Sequence, residues 1–457
     1  MVNLYILAEE LPKSEILIQI LEYYCAQFNK KIKSINNPVI LPVFTNKKFN
    51  YRYKFLDFNI EDINQINIEI VSGKSSFVDY LIFEQDSRPK EHDLNNDNDG
   101  NQLKLIIEET KTNDIESRNQ VFQRISKFIY AEHFYKNVKK LMFYNIQINN
   151  ENKIPTDSNK LGINILLTLD VDIIGINKEY FKPFEDEKEL IKFKDDMNLP
   201  NHTNIPVKIT PCENQIFISG SLENPRGSGN LNHDPNKGQL PALVKVLRKF
   251  DCNEEIIIIN HGVSQQTIDR SRGNKFLFLA KILDFKLENI ELPEITLPTQ
   301  YWRYNIKLEK NGTMLLHLTS IFNNPHTTAI FYNHGGGELS YFYNSNGEPT
   351  QLSQKDLPDL ILKNELSKEI LIIEGKTIDK LQEGLDKLND FDSIEEDILN
   401  QYSDYKINRW VVTCNGIISK QDLHQKQLFH LNEDGTYFLN EKAPQWLNES
   451  FERVINY

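Results

Sequence analysis

The sequence predicts an α/β chain of mixed α+β sheets, with two similar blocks, 1–150 and 301–457, flanking a central α/β region, 151–300. Three observations predict it. A strand, strand, helix, strand order occurs twice. It reads SSFVDYLIF, LKLIIEETKT, IESRNQVFQRISKFIYAEHFY and LMFYNI, then LPDLIL, ILIIEGKT, IDKLQEGLDKLNDF with IEEDILNQY, and RWVVTCNG. Both copies place an aspartate at the head of the first strand and a Glu-x-Lys triplet at the end of the second. Between them, QIFISGSLE, LPALVKVLRKF, EEIIIINHG and NKFLFLAKILDF alternate short apolar strands with amphipathic helices.

At 457 residues the chain is long enough for two or three domains, each with its own core. No apolar run reaches the length of a membrane span. The opening MVNLYILAEELPKSE carries acids where a secretory signal carries bases and a long apolar run, so a cytoplasmic chain is expected. Cys25, Cys212, Cys252 and Cys414 are scattered without CxxC spacing, which argues against a zinc site and a disulfide framework. The formal net charge of -13 counts against nucleic-acid binding through bulk charge. Binding depends on a local face, however, and a site built from carboxylates is itself acidic.

In chain order, PKSEILIQILEYYCAQ (residues 12–27) carries its apolar residues on one helical face and predicts the first helix. The basic stretches NKKIKS and NKKFNYRYK read as turns, and NIEIVSG leads into the Asp79 strand. Side chains alternate along a strand. Glu109 and Lys111 therefore share a face, while Glu108, three residues from Lys111, points away. Asp79, Glu109 and Lys111 are the expected charged set. Lys30, Lys31, Lys33, Lys47, Lys48, Lys139 and Lys140 are candidate phosphate contacts nearby in sequence. In the helix that follows, Gln123 shares a face with Lys127 and is an additional candidate.

The central region opens with a polar linker. LGINILLTLDVDIIGI then predicts a helix and a strand, and FEDEKELIKFKDD a solvated helix. Two polar clusters fall at element ends: His233-Asp234-Pro235-Asn236, in a Gly- and Asn-rich loop, and Asn260-His261-Gly262. Arg226, Gln265, Gln266, Arg270 and Arg272 lie close to them in sequence. Such side chains can read base edges or grip phosphates. Equally, Asp234-Pro235-Asn236 is turn chemistry.

Farther on, YWRYNIKLEKNGTMLLHLTSIF predicts a hairpin around Asn311-Gly312. Gly335-Gly336-Gly337 precedes Glu338, an additional candidate carboxylate. No GK[ST] follows these glycines, so no phosphate loop is read. In LPDLILKNELSKEILIIEGKT, a hairpin would bring Asp359 beside Glu374, with Lys376 on the face of Glu374. Two carboxylates with an open side bind a hard divalent cation such as Mg²⁺ through oxygen. A neighbouring lysine can steady charge building on a phosphate.

These stretches resemble type II restriction endonucleases of the PD-(D/E)XK fold, in particular single-chain enzymes with two different nuclease sites. The resemblance rests on FVDYL with IIEETKTNDIESRNQVFQR, on NLNHDPNKG with IIIINHG, and on NHGGGELSYF with LPDLIL and ILIIEGKT. Val78 stands where the motif of the first copy would carry a proline. The resemblance implies two PD-(D/E)XK domains flanking a recognition region, with Mg²⁺ held by Asp79 and Glu109 and by Asp359 and Glu374. It implies Lys111 and Lys376 as catalytic partners, and double-stranded DNA and a cognate DNA methyltransferase as partner molecules. Two unlike sites suit a non-palindromic target. The alternatives are one active site beside a degenerate nuclease fold, a non-catalytic nucleic-acid-binding regulator, and a nuclease without sequence specificity.

Overall fold

A computed structural model describes residues 2–73, 77–91, 94, 100–110, 120–144, 154–197, 207–223, 231, 234–304, 310–331 and 357–454. The chain is mixed α/β with several mixed sheets. It divides into two compact units: one of Met1–Leu4, Glu10–Ile70 and Tyr304–Tyr457, the other of Tyr5–Glu9 and Val71–Arg303. This grouping differs from sequential blocks cut at 150 and 300. The helix Ser14–Gln27 belongs with the C-terminal third, and Asp79 belongs with the central region. Among the described residues no helix is long and apolar enough to cross a membrane.

In the Val71–Arg303 unit, the strand Tyr80–Gln85 runs antiparallel to Leu103–Glu109. Lys139–Phe143 and Val171–Ile174 then add in parallel. Parallel neighbours require crossovers, which the helices Gln120–Phe134 and Asp157–Thr168 supply. Val121, Phe122, Ile125, Phe128, Ile129 and Ala131 are all buried along Gln120–Phe134. Burying the valine, isoleucine and phenylalanine side chains among these stabilises by about 1.5–3 kcal/mol each. Two glycines let neighbouring helices close on its start. A Cβ on Gly162 would lie 2.4 Å from Val121, and one on Gly238 2.7 Å from the Phe122 carbonyl.

The same unit holds a four-stranded sheet. Gln215–Ser219, Glu255–Ile259 and Phe285–Leu287 are parallel, and Lys208–Cys212 adds antiparallel at the edge. The helix Asp234–Lys249 joins the first two of the parallel strands. Asp234-Pro235-Asn236 was expected as a turn and instead opens this helix. Proline suits a first helical turn, where its missing N–H would have no intrahelical acceptor. Asn236 donates to the Ser221 carbonyl at 2.7 Å, fixing the helix start to the end of the Gln215–Ser219 strand.

In the other unit, six strands lie in the order Thr327–Phe331, Leu360–Asn364, Glu369–Thr377, Lys406–Cys414, Gln427–Leu431 and Tyr437–Leu439. Glu369–Thr377 is antiparallel to Leu360–Asn364 and parallel to Lys406–Cys414. The helices Leu381–Lys387 and Asp392–Gln401 make the crossover over a core of Ile370, Ile372, Leu388, Phe391, Ile394, Ile398 and Val411.

Two expectations change in this unit. Asn311-Gly312 lies in the helix Lys310–Asn323, not in a hairpin. The apolar run Met314–Leu318 packs as a helix, and Gly312 serves a close approach. A Cβ there would lie 3.0 Å from Val412 and 3.1 Å from the Thr413 carbonyl. The basic stretches near residues 31–54 form two long antiparallel strands, Ile32–Thr45 and Lys48–Ile60. Phe49, Tyr51, Tyr53 and Phe55 alternate along the second, a period-two signal behind the lysines. Only Asn46 and Lys47, both with positive φ, turn.

Candidate active site

The Asp359 site sits where two antiparallel strands begin and end. Leu360 pairs with Ile373, so Asp359 and Glu374 are the next residues outward on each strand. Asp359 Oδ2 accepts the Gly375 N–H at 2.7 Å. Lys376 Nζ lies 2.6 Å from Glu374 Oε1. The helix Leu381–Lys387 presses on the lysine stem: a Cβ on Gly384 would lie 2.9 Å from Lys376 Cγ. Glu374 is buried. Burial, then the nearby Asp359 charge, push its carboxyl up to about 7 against the opposing pull of Lys376.

The Asp79 site repeats this geometry with a shifted assignment. Tyr80 pairs with Ile107, so the residue next outward after Ile107 is Glu108. Asp79 Oδ2 accepts the Glu109 N–H at 2.7 Å, the bond that Gly375 makes in the other site. Glu108, not Glu109, therefore corresponds to Glu374. Its carboxyl is fully buried and pushed up to about 7, by burial first and Asp79 next. Glu109 points to the other face, where its Oε2 accepts the Tyr80 hydroxyl at 2.6 Å.

The lysine moves as well. Thr110 occupies the register of Lys376, and Lys111 lies outside the described residues. Lys127 Nζ reaches Glu108 at 2.8 and 3.0 Å from the helix Gln120–Phe134, and Arg124 Nη1 lies at 3.3 Å from it. Burial pulls the Lys127 ammonium down, but Glu108 and Asp79 outweigh it and raise its pKa. Gln123, one turn before Lys127 on the same helix, is exposed. Glu108, Arg124 and Lys127 are the residues that spacing alone missed. The signal was present: Leu105-Ile106-Ile107-Glu108 matches Leu371-Ile372-Ile373-Glu374 letter for letter. Aligning on the lysine instead of on this run shifts the first copy by one residue, and a one-residue shift exchanges the faces.

Both sites offer carboxylate oxygens, the donor type of a hard divalent cation. In each, two carboxylates repel one another in a partly buried setting, which a cation would relieve. Among the described residues no group of three or more His, Cys, Asp or Glu side chains forms a metal cluster. Glu338 lies outside the described residues.

The recognition candidates separate into two groups. His261 Nε2 lies 2.7 Å from the Glu288 carbonyl, and its Nδ1 accepts the Val263 N–H at 3.3 Å, so the ring is spent on local structure. Gln265 donates to the Glu291 carbonyl at 2.7 Å and accepts the Glu291 N–H at 3.0 Å. Asn236 is buried. Asn260, Gln266, Arg270 and Arg272 are exposed, as is Gln265. Arg226, His233 and the side chain of Asp234 lie outside the described residues. Comparison with protein-family models, with curated proteins and with solved structures finds no match for this chain.

Proposed function

We propose that the chain is a Mg²⁺-dependent DNA endonuclease with two unlike PD-(D/E)XK sites, acting as a type II restriction enzyme on a non-palindromic target. The observation that carries this reading is the repeated geometry. Twice, an aspartate precedes the first strand of an antiparallel pair and accepts the N–H of the residue after a buried glutamate, which a lysine contacts. Asp359 with Glu374, and Asp79 with Glu108, would hold the metal. A magnesium ion there would supply Lewis-acid stabilisation of charge on the scissile phosphate. Lys376 and Lys127 would orient the attacking water and offset the charge that develops on the phosphate oxygens. Asn260, Gln266, Arg270 and Arg272 are the described recognition candidates best exposed to meet DNA. A cognate DNA methyltransferase of the same specificity would protect host DNA.

One observation favours a second reading, in which only the Asp359 site cuts and the Asp79 site binds. Glu108 is held by two cations, Lys127 and Arg124, whereas Glu374 is held by Lys376 alone among the ion pairs of the described residues. Both readings are tested by incubating the protein with supercoiled plasmid and long genomic DNA in Mg²⁺. Discrete fragments support two cutting sites, and nicked circles support one. A smear supports cleavage without specificity. Intact DNA in both Mg²⁺ and Mn²⁺ contradicts the nuclease reading.

A further inference from the structure

The strand Glu369–Thr377 has an exposed apolar residue near each of its ends. Leu366 is 76% exposed in the turn that precedes it, away from Glu374. Ile417 is 73% exposed at the other end, in the loop that follows the parallel strand Lys406–Cys414. Thr377 pairs with Cys414, so this loop starts at the sheet edge that carries Glu374 and Lys376. A Cβ on Gly416 would lie 3.0 Å from Ile378 Cγ2, which sets the loop against the chain leaving the candidate site. Single exposed apolar side chains are ordinary on protein surfaces. Position and rigidity set Ile417 apart from Leu366.

The backbone on both sides of Ile417 is fixed. Asn415 and Gly416 both have positive φ, which asparagine and glycine tolerate. Gly416 N–H donates to Glu433 Oε1 at 3.1 Å, and Glu433 N–H donates to the Gly416 carbonyl at 3.1 Å. Ile418 N–H donates to Asn432 Oδ1 at 2.9 Å, and Asn432 Nδ2 donates to the Ile418 carbonyl at 3.2 Å. Ile417 is therefore held out into solvent between two anchored neighbours.

The same anchor holds a basic element. The strands Ile32–Thr45 and Lys48–Ile60 meet at Asn46-Lys47, a two-residue turn with positive φ at both positions. Tyr51 donates its hydroxyl to the Asn432 carbonyl, and Phe49 N–H donates to the Gly435 carbonyl at 2.9 Å. A Cβ on Gly435 would overlap the Phe49 carbonyl oxygen, so the two backbones touch. Asn432 thus ties the hairpin and the Ile417 loop together. The acids of this turn are engaged locally: Glu433 by Gly416, and Asp434 by the Thr436 N–H at 2.9 Å and by Lys48 Nζ at 3.1 Å. Lys47, at the hairpin tip, is exposed.

We infer that Ile417 and Lys47 form a DNA-contact ledge of the Asp359–Glu374 site, Ile417 packing on the nucleotides beside the scissile phosphate and Lys47 meeting a backbone phosphate. The inference rests on the nuclease reading. It assigns Lys47 to the Asp359 site, although in sequence it lies nearer Asp79. Apolar side chains of this kind pack into the groove and between base steps. A β-branched side chain on a fixed loop loses little freedom on contact. A lysine at a hairpin tip meets a phosphate as a point charge.

The test measures binding of the full chain to a short mixed-sequence DNA duplex, across salt concentrations and without divalent metal. The parent is compared with Ile417→Ala, Leu366→Ala and Lys47→Asn, asparagine being a residue that keeps the positive φ. Ile417→Ala should weaken binding roughly fivefold or more at every salt concentration, with an unchanged salt slope. Leu366→Ala, an equally exposed apolar truncation, should bind as the parent does. Lys47→Asn should lower the salt slope by about one ion. Plasmid nicking at saturating DNA with Mg²⁺ then locates the ledge. Ile417→Ala should slow nicking about tenfold in a Glu108→Ala background, where the Asp359 site cuts, and less than about twofold in a Glu374→Ala background. The inference is overturned by parent-like binding of Ile417→Ala, by an equal loss in Leu366→Ala, by an unchanged slope in Lys47→Asn, or by equal slowing in the two backgrounds. The nuclease reading survives each of these results if the parent cuts. If the parent binds DNA but leaves it intact in Mg²⁺ and Mn²⁺, and the binding variants behave as expected, the ledge stands and the nuclease reading fails. A parent that neither binds nor cuts DNA overturns both.

Discussion

The Asp359 and Asp79 sites reach one arrangement by different routes. In the first, the cation comes from the strand itself, Lys376, two residues beyond Glu374. In the second it comes from a crossover helix, Lys127, nineteen residues beyond Glu108. The face next to the glutamate differs too. Gly375 follows Glu374 because the helix Lys310–Asn323 lies against it, with Thr313 2.8 Å from where a Cβ would be. Glu109 follows Glu108, and the Tyr80 hydroxyl satisfies it at 2.6 Å. What the sites share is the carboxylate pair and the aspartate-to-backbone bond. What differs is how the neighbouring layers supply charge and space. In both, a lysine ammonium lies within hydrogen-bond distance of the buried glutamate, but from different places in the sequence.

The largest expected effects separate the two sites directly. Glu374→Ala should abolish cutting of one strand, and Glu108→Ala that of the other, each by roughly 10²-fold or more. Mapping the nicks on both strands of a plasmid checks this. If both variants spare the same strand, the sites are not independent. Lysine substitutions sharpen the contrast. Lys127→Met should depress cutting by the Asp79 site about as severely as Lys376→Met depresses the other, while Lys111→Met should cost less than about tenfold. The reverse order for Lys127 and Lys111 would restore the assignment by spacing.

A smaller effect should appear without DNA or metal. Glu108 and Glu374 are both raised from the ordinary 4.5 to about 7. The folded chain therefore binds these protons more tightly than the unfolded one. Their contribution is fully present below about pH 4.5 and is lost as pH rises through about 7, a change on the order of a few kcal/mol. Melting curves across that window should show the fall, and Glu108→Gln or Glu374→Gln should flatten it. A melting temperature that rises over the same window in the parent, and equally in both variants, would contradict the assigned environments.

The smallest contrast lies at the residue after each glutamate. Gly375→Ala forces a Cβ to 2.8 Å from Thr313 and 3.2 Å from Asp359 Oδ2, and should cost about 1–3 kcal/mol. Glu109→Ala loses the hydrogen bond from Tyr80, a loss that should cost about 1 kcal/mol. Chemical denaturation of the two variants measures the difference, and equal costs would remove the packing argument for Gly375.

Much of this was legible in the residues. The strand, strand, helix, strand order is seen in both units, because apolar runs of strand length and helices with regular apolar spacing are strong local signals. The Asp359–Glu374–Lys376 set comes together as alternation along one strand implies. The Asp79 set was legible only through the shared Leu-Ile-Ile-Glu run, since the Lys127 contact is made by a helix folding over the sheet and leaves no trace in spacing. Asn311-Gly312 misled because a glycine can serve the close approach of a helix to a strand as well as a turn. The strands from Ile32 to Ile60 were hidden because lysines between alternating aromatics resemble loop composition. His261 and Gln265 read as free polar tips, but both are bound to the 288–291 segment, a contact distant in sequence.

The most direct measurement is plasmid nicking in a Glu374→Ala background, where the Asp79 site acts alone, with Glu108→Ala and Glu109→Ala compared side by side. The account predicts that Glu108→Ala eliminates the remaining nick and Glu109→Ala retains it. Loss of nicking with Glu109→Ala and its survival with Glu108→Ala would contradict the equivalence of the two sites.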